Sequence, residues 1–409
     1  TTMDMQSKAK KLIEMIQTAS VEWKLLTQVA DLTRGRVISK GYLADNLGNY
    51  PVYSSQTLNN GEIGKINSFD FDGEFVSWTT DGANAGTVFY RSGKFSITNV
   101  CGLIKIKNIL ELNYKFLFYW LSIEAKKHVY SGMGNPKLMS HQMGKIQIPI
   151  PPLEIQQEIV KILDKFTELE ATLEAELALR KRQYRYYRDF LLDFDNQIGG
   201  GIADGYKGRL KDVVWKTLGE VALDFGRGKS KHRPRNDVRL YGGSIPFIQT
   251  GDIKNAGHII ESYTQTYNNF GLKQSKLWKK GTLCITIAAN IAETAVLGFD
   301  ACFPDSVIGF VANPKETTSD YVEYLLSSLK MKLQEKGMGS AQENINLATF
   351  SNMRFPFPSL PEQEKIVAIL DKFDTLTHSI SEGLPHEIAL RRKQYEYYRE
   401  QLLAFPKAA

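Results

Sequence analysis

The 409-residue chain has three cysteines, Cys101, Cys284 and Cys302, widely spaced and without a Cys-x-x-Cys pair. That spacing suggests neither a disulfide framework nor a zinc knuckle and fits a reducing cytoplasm. The six histidines are scattered, with no metal-ligand spacing. No run approaches the roughly 20 apolar residues that span a bilayer, and no charged stretch followed by an apolar one opens the chain, so membrane and secretory readings are set aside. Reaction motifs are missing too. Gly228-Lys229-Ser230 looks like the end of a P-loop, but the position five earlier, where a glycine is required, is Leu223. There is no His-Glu-x-x-His, no Gly-x-Ser-x-Gly, no Rossmann glycine set and no Asn-Pro-Pro-Tyr-like methyltransferase motif. The chain reads as a binder, with no metal or cofactor of its own and any catalysis left to partners.

The bulk properties are ordinary for a soluble protein: 43% apolar, 23% charged, net charge +6. A pI near 8.9 raises the prior for a polyanionic partner only modestly. The length allows two or three domains, each with its own core.

What the chain does have is a long-range repeat. Ile-Leu-Asp-Lys-Phe occurs at 162–166 and again at 369–373, and Gln-Tyr-x-Tyr-Tyr-Arg at 183–188 returns at 394–399. Val160 pairs with Val367 and Leu179 with Leu390, so the second copy carries four extra residues. Upstream, Trp23 to Ala30 resembles Trp215 to Ala222 more faintly. A repeat of this length is a duplicated domain, too long for a solenoid unit or propeller blade. The division reads as an N-terminal segment, 1–20; a first globular domain, 21–150; a spacer helix, 151–195; a second globular domain, 196–358; and a second spacer helix, 359–409. Residues 1–20 form a short basic amphipathic segment of no evident function, and Thr1-Thr2 precede Met3.

In the first helix the apolar steps of three and four, through Ile159, Ile162, Phe166, Leu169, Leu173, Leu177, Tyr184 and Tyr187, form a coiled-coil seam. Ile366, Ile369, Phe373, Leu376 and onward to Tyr395 and Tyr398 repeat it. Gly383 and Pro385 sit at the four-residue insertion; inside a helix they cost about 1 and 3 kcal/mol, so a kink or break is expected, with Pro385 starting a new first turn. Antiparallel packing asks only that the termini of the intervening domain lie close together, the default for a compact domain, whereas parallel packing would need a return of roughly 60 Å. The expected fold is α+β: two mixed α/β domains in tandem, joined by two long helices in an antiparallel coiled coil with approximate two-fold symmetry. The alternative is that each helix packs on its own domain alone.

The globular halves mix strands, such as Ile104–Lys107 and Leu283–Ile287, with helices at Tyr114–Val129 and Tyr321–Gln334. Loops rich in Gly, Asn, Ser and Thr separate them. Three in the first half have side chains that donate and accept at once, as base edges demand: Tyr53 to Gln56, including Ser55; Thr79 to Gly86, including Thr80 and Asn84; and Gly132 to Lys137, including Asn135. Counterparts in the second half are Gln249 to Asp252, Ala288 to Asn290, and Gln342 to Asn346 with Asn344. For any single loop, ordinary turn chemistry explains the same residues. The run Arg227-Gly228-Lys229-Ser230-Lys231-His232-Arg233-Pro234-Arg235 has five cations and no acid. It is the best candidate for phosphate contact, with a solvated, flexible basic loop as the alternative reading. Arg180-Lys181-Arg182, interleaved with Tyr184, Tyr186 and Tyr187, returns at Arg391-Arg392-Lys393, which favours a protein-docking face shared by both helices.

Pro-Leu-Glu-Ile-Gln-Gln-Glu-Ile-Val at 152–160, Leu-Pro-Glu-Gln-Glu-Lys-Ile-Val at 360–367, both Ile-Leu-Asp-Lys-Phe runs and both Gln-Tyr-x-Tyr-Tyr-Arg elements resemble the specificity (S) subunit of type I restriction-modification enzymes. The likeness covers nearly the whole chain. It implies that each globular half is a target-recognition domain reading one part of a bipartite, asymmetric double-stranded DNA site, with the helix pair as spacer. It also implies docking of two methyltransferase subunits, joined by restriction subunits, with S-adenosylmethionine, ATP and magnesium bound by those partners. The family supplies no catalytic residue to carry over. Thr80, Asn84 and Lys137, with Ser55, Gln56 and Asn135, are the candidates for the first half-site. Arg227, Lys229, Lys231, Arg233, Gln249, Asn290 and Asn344 are those for the second. Phe166, Tyr184, Tyr187, Phe373, Tyr395 and Tyr398 are assigned to the spacer and methyltransferase docking. The competing readings are a coiled-coil adaptor with two protein-binding heads and an enzyme with an undetected site.

Overall fold

The structure, a computed structural model, describes residues 2–19, 21–132, 134–194, 213–287, 292–330, 350–379 and 381–406. The chain divides into two compact units, residues 1–171 with 390–409, and residues 172–389.

The first unit opens with helix α1 (Thr2–Thr18), whose Ala9, Leu12 and Ile16 lie in the unit's main core. The basic amphipathic N-terminal segment is thus a packed helix. Strands β1 (Glu22–Leu25), β2 (Ala30–Arg34), β3 (Leu47–Tyr53), β4 (Glu62–Ile66), β5 (Phe71–Thr79), β6 (Val88–Ile97), β7 (Cys101–Ile106) and β8 (Gln147–Ile150) follow. Six form one sheet in the order β2-β7-β5-β6-β3-β4, antiparallel except for the β3 and β6 pair. Helix α2 (Tyr114–Glu124) has its first turn capped by the Asn113 side chain and buries Phe116, Leu117 and Leu121. β1 and β8 pair as a separate ribbon that sets Trp23 opposite Pro149.

The second unit repeats that ribbon: β9 (Val214–Thr217) pairs with β17 (Arg354–Phe357), and Trp215 lies opposite Pro356. The faint Trp-Lys repeat is therefore the strand that meets the chain just before each long helix. Between them lie β10 (Ala222–Arg227), β11 (Tyr241–Phe247), β12 (Ile259–Ile260), β13 (Gln265–Tyr267), β14 (Leu283–Thr286), β15 (Thr294–Leu297) and β16 (Val307–Ala312). Five make a sheet in the order β10-β16-β14-β15-β12, and β11 pairs with β13.

The long helices are α3 (Leu153–Leu192), α4 (Leu360–His378) and α5 (Gly383–Leu402). The expected break falls between α4 and α5. Gly383 has φ +74, and a Cβ there would lie 2.3 Å from the Thr375 carbonyl oxygen, so glycine is what lets the chain turn so close to the end of α4. Pro385 stands in the first turn of α5, where its missing N–H costs nothing. Leu173 and Leu177 of the expected seam are only half-buried.

Each repeat motif has the same structural task in its own unit. Gln156, fully buried, donates Nε2 to the carbonyls of Glu111 and Pro151, both at 2.8 Å, and accepts from the Asn113 N–H at 2.9 Å. Gln363, its counterpart, donates to the carbonyls of Glu316 at 3.0 Å and Pro358 at 2.8 Å and accepts from the Thr317 hydroxyl at 2.8 Å. Each glutamine locks the start of a long helix to the domain before it. Asp164 accepts from the Tyr119 hydroxyl, and Asp371 from that of Tyr324, each at 2.7 Å. The phenylalanine closing each Ile-Leu-Asp-Lys-Phe run stacks on a tyrosine of the other long helix: Phe166 on Tyr398 at 5.3 Å in the first unit, Phe373 on Tyr187 at 5.4 Å in the second. In the first unit Glu170 also pairs with Arg392, and in the second Tyr184 lies 5.7 Å from His378. Position numbers rise along α3 as they fall along its partner, so the helices run antiparallel at each of these contacts. Stacked aromatic pairs of this kind are worth about 0.5–1.5 kcal/mol beyond their buried area.

Candidate nucleic-acid interface

In the first unit the three polar loops converge on one surface, and the reason is a lattice of hydrogen bonds beneath them. Next to the end of β5 stands buried Trp78, whose indole N–H donates to the Leu138 carbonyl at 2.8 Å. The loop after β5 and residues 136–138 then exchange backbone bonds. Gly82 N–H donates to Pro136 O at 3.0 Å, Leu138 N–H to Thr80 O at 2.9 Å, and Asp81 bridges Lys137. The loop after β3 joins them through Asn84, whose Nδ2 donates to Ser55 O at 3.0 Å. Gln56 donates its amide to the Glu62 carbonyl, and the Ser54 hydroxyl accepts from Thr98 at 2.9 Å.

On that surface Asn135 and Lys137 are exposed, while Ser55, Gln56 and Asn84 are half-buried. Thr80 is not there: it is fully buried, accepting from Arg34 Nη2 at 3.1 Å and donating to Asp81 at 2.8 Å. A hydroxyl so placed orients its neighbours and offers nothing to a base edge. Arg34, half-exposed beside it and 3.6 Å from Asp81, is a cation of this surface that the sequence did not single out. Its only signal was its place at the end of β2, next to Gly35 and Arg36.

In the second unit the basic run leaves β10. Gly228 sits so tightly against Phe303 that a Cβ would come within 2.3 Å of its carbonyl oxygen, and its N–H donates to Val307 O at 2.8 Å. Arg227, Lys229 and Lys231 project exposed from this anchored backbone and form no ion pair with the described residues. Arg233 is exposed but folds back on the carbonyls of Ser230 at 2.7 Å and His232 at 2.9 Å. Arg235 is neutralised by Asp305 through two bonds of 2.9 Å. His232 and Arg239 converge on Asp237, where hydrogen bonds from Arg239 and then His232 hold its carboxyl below the usual range. Gln249 is half-buried and shares a cleft of about 300 Å³ with Ser230, Arg235 and Gln265. Asn290 and Asn344 lie outside the described residues.

The short helix Thr250–Asn255 after Gln249 leads to His258, which is buried. Its Nδ1 lies 2.6 Å from Glu323 and its Nε2 3.0 Å from Asp320, and its ring stacks 4.3 Å from Tyr324. Burial alone would lower the imidazole pKa, but the hydrogen bonds to Asp320 and Glu323 outweigh it and hold the pKa at about 10.

Among the aromatics assigned to docking, Phe166, Tyr184 and Tyr398 are buried, and Tyr187, Phe373 and Tyr395 half-buried, so they pack helix on helix. The exposed member of each motif is the middle tyrosine, Tyr186 at 64% and Tyr397 at 58%, standing edge-on to Tyr187 and Tyr398. A partner would meet these two with their flanking cations. No group of three or more His, Cys, Asp or Glu that could hold a metal occurs among the described residues, and no helix there is long and apolar enough to cross a membrane. The three cysteines are free and buried.

Two repeated mixed α/β units, each tied to a long helix and each presenting polar or basic loops, define a protein built by duplication of one domain-and-helix element. The chain belongs to the specificity subunits of type I restriction-modification systems: the family model for the type I restriction modification DNA specificity domain matches residues 20–179 and 211–390. A putative type I specificity subunit of Mycoplasma pneumoniae is 36% identical over 383 residues, covering 92% of this chain and 96% of the relative. The specificity subunit of the Escherichia coli type I restriction enzyme EcoR124I/EcoR124II is 34% identical over 307 residues, 72% of this chain and 71% of the relative. The crystal structure of a type I S subunit from M. genitalium superposes with a TM-score of 0.59 at 17% identity, over 96% of this chain and 97% of that one, a likeness of fold.

Proposed function

We propose that the chain reads a bipartite, asymmetric double-stranded DNA target, one half-site with the loops of each unit, and that it docks two methyltransferase subunits to which restriction subunits join. The observation that carries this reading is the convergence of Asn84, Asn135, Lys137 and Arg34 on one hydrogen-bonded surface, with the free cations of residues 227–231 as its counterpart in the second unit. Carboxamides are suited to base edges and the cations to phosphates. In this reading the long helices form an antiparallel coiled coil with approximate two-fold symmetry and serve as spacer. The crossed stacking of Phe166 on Tyr398 and Phe373 on Tyr187 supports that arrangement. The chain itself is non-catalytic, and S-adenosylmethionine, ATP and magnesium are bound by its partners.

The test is the DNA affinity of the chain with its methyltransferase subunits against salt and sequence. Affinity should fall steeply with salt and depend on sequence. A protein-binding adaptor would show neither, and that result would overturn the proposal.

A further inference from the structure

Between β3 and β4 the chain makes a turn that the loops described above do not include. Residues 59, 60 and 61 are all left-handed: Asn59 at φ 49, Asn60 at φ 52 and Gly61 at φ 81. Asparagine tolerates this region better than other side-chain-bearing residues, yet two in succession are strained and persist only where the surroundings hold them. What holds them is Arg91, 3% exposed. Its Nη1 donates to Asn60 O at 2.8 Å and its Nε to the Ser77 hydroxyl at 3.0 Å. The guanidinium lies 3.6 Å from the centre of the Tyr53 ring and 4.4 Å from that of Phe89. A Cβ on Gly61 would come within 3.1 Å of Nη2. No carboxylate among the described residues pairs with this arginine, and burial lowers its pKa to about 10. A buried cation without an acid is a costly way to fill a core, and an apolar side chain would fill the space at less cost. What the arginine does for the turn, and an apolar residue cannot, is fix the Asn60 carbonyl.

The turn so fixed presents Leu58, 80% exposed, and the side chains of Asn59 and Asn60, both exposed and hydrogen-bonded to no described residue. It follows directly on Ser55 and Gln56, which the lattice under the first recognition surface already anchors. We propose that the Leu58–Gly61 turn is a base-reading tip of that surface, with Asn59 or Asn60 addressing an adenine, and that Arg91 is the residue that positions it. A carboxamide matches the adjacent acceptor and donor that adenine shows in the major groove, and an exposed aliphatic side chain beside it suits the thymine methyl. The inference rests on the reading of the first unit as a DNA-recognition surface.

Glycine adopts the left-handed conformation without strain, so Asn59→Gly and Asn60→Gly remove the carboxamides while keeping the backbone. Each variant, with its cognate methyltransferase subunits, is selected on DNA randomised across both half-sites. One of the two should lose preference at one position of the first half-site by about tenfold or more, with the second half-site and the salt slope unchanged. Arg91→Lys should relax that same position. Unchanged preference in both single variants and in the double variant would overturn the base-reading assignment. A uniform loss across all positions in Arg91→Lys, or none, would overturn its positioning role. A wild-type complex without sequence preference would overturn the recognition reading itself, and the inference with it.

Discussion

Replacing His258 with glutamine should cost the second unit stability in a way that fades as pH rises. The folded pKa, about 10, lies above the ordinary value of 6.5. The stabilisation is therefore complete below about pH 6.5 and is lost as pH rises through about 10. Across that window the folded state holds one proton that the unfolded state has released, so stability falls by about 1.4 kcal/mol per pH unit. The full span would be on the order of 5 kcal/mol; Asp320 is 44% exposed and partly screened, so about 3 kcal/mol is the better expectation. Urea unfolding of the full chain and of His258→Gln at pH 7 and pH 9, followed by hydrogen exchange in β14 and β15, measures the difference. The gap between the two proteins should narrow by about 2 kcal/mol between those pH values. An equal gap at both would refute a charged His258, leaving only its stacking on Tyr324. The consequence for recognition is local, because this cluster fastens the segment that follows Gln249.

Tyr186→Ala and Tyr397→Ala should weaken capture of the methyltransferase subunit while leaving the melting temperature of the chain unchanged. Co-purification beside a thermal melt checks this, and an unimpaired complex would rule the two tyrosines out as the docking face. Lys137→Ala and Lys231→Ala, if they remove phosphate contacts, should weaken binding to all DNA sequences alike and each lower the salt slope by about one. A change in preference at one base would instead make them readers. Deleting Gly383 to His386 removes about 6 Å of helix and should shift the preferred gap between half-sites by one or two base pairs of about 3.4 Å each. An unchanged gap in a randomised-spacer selection would refute the reading of the long helices as a rigid spacer.

The parts of this fold that were legible in the sequence are those carried by local pattern. The two long helices announce themselves by their three-and-four apolar steps, and the break before Gly383 by glycine and proline at an insertion. Gln156 and Gln363 stand inside the recurring motifs, but their task is not legible there, because their partners near residues 111–113 and 316–317 lie far away in sequence. Thr80 had the right chemistry for a base contact and the wrong burial, which depends on Arg34, 46 positions away. Two signals were present and unread. Tyr186 falls on the opposite helical face from Tyr184, so a wheel at 100° per residue separates the exposed tyrosine from the packing ones. Asn59-Asn60-Gly61 is turn chemistry of the left-handed kind. What it presents became visible only with Arg91 behind it.

The most direct test of the central claim is to co-express the chain with its cognate methyltransferase subunit and map the methylated bases across a genome. The account predicts a motif in two parts, each part changing separately when residues 21–150 or 213–358 are exchanged for those of a relative. Stable association without sequence-specific methylation, or a motif in which either exchange alters both parts together, would contradict it.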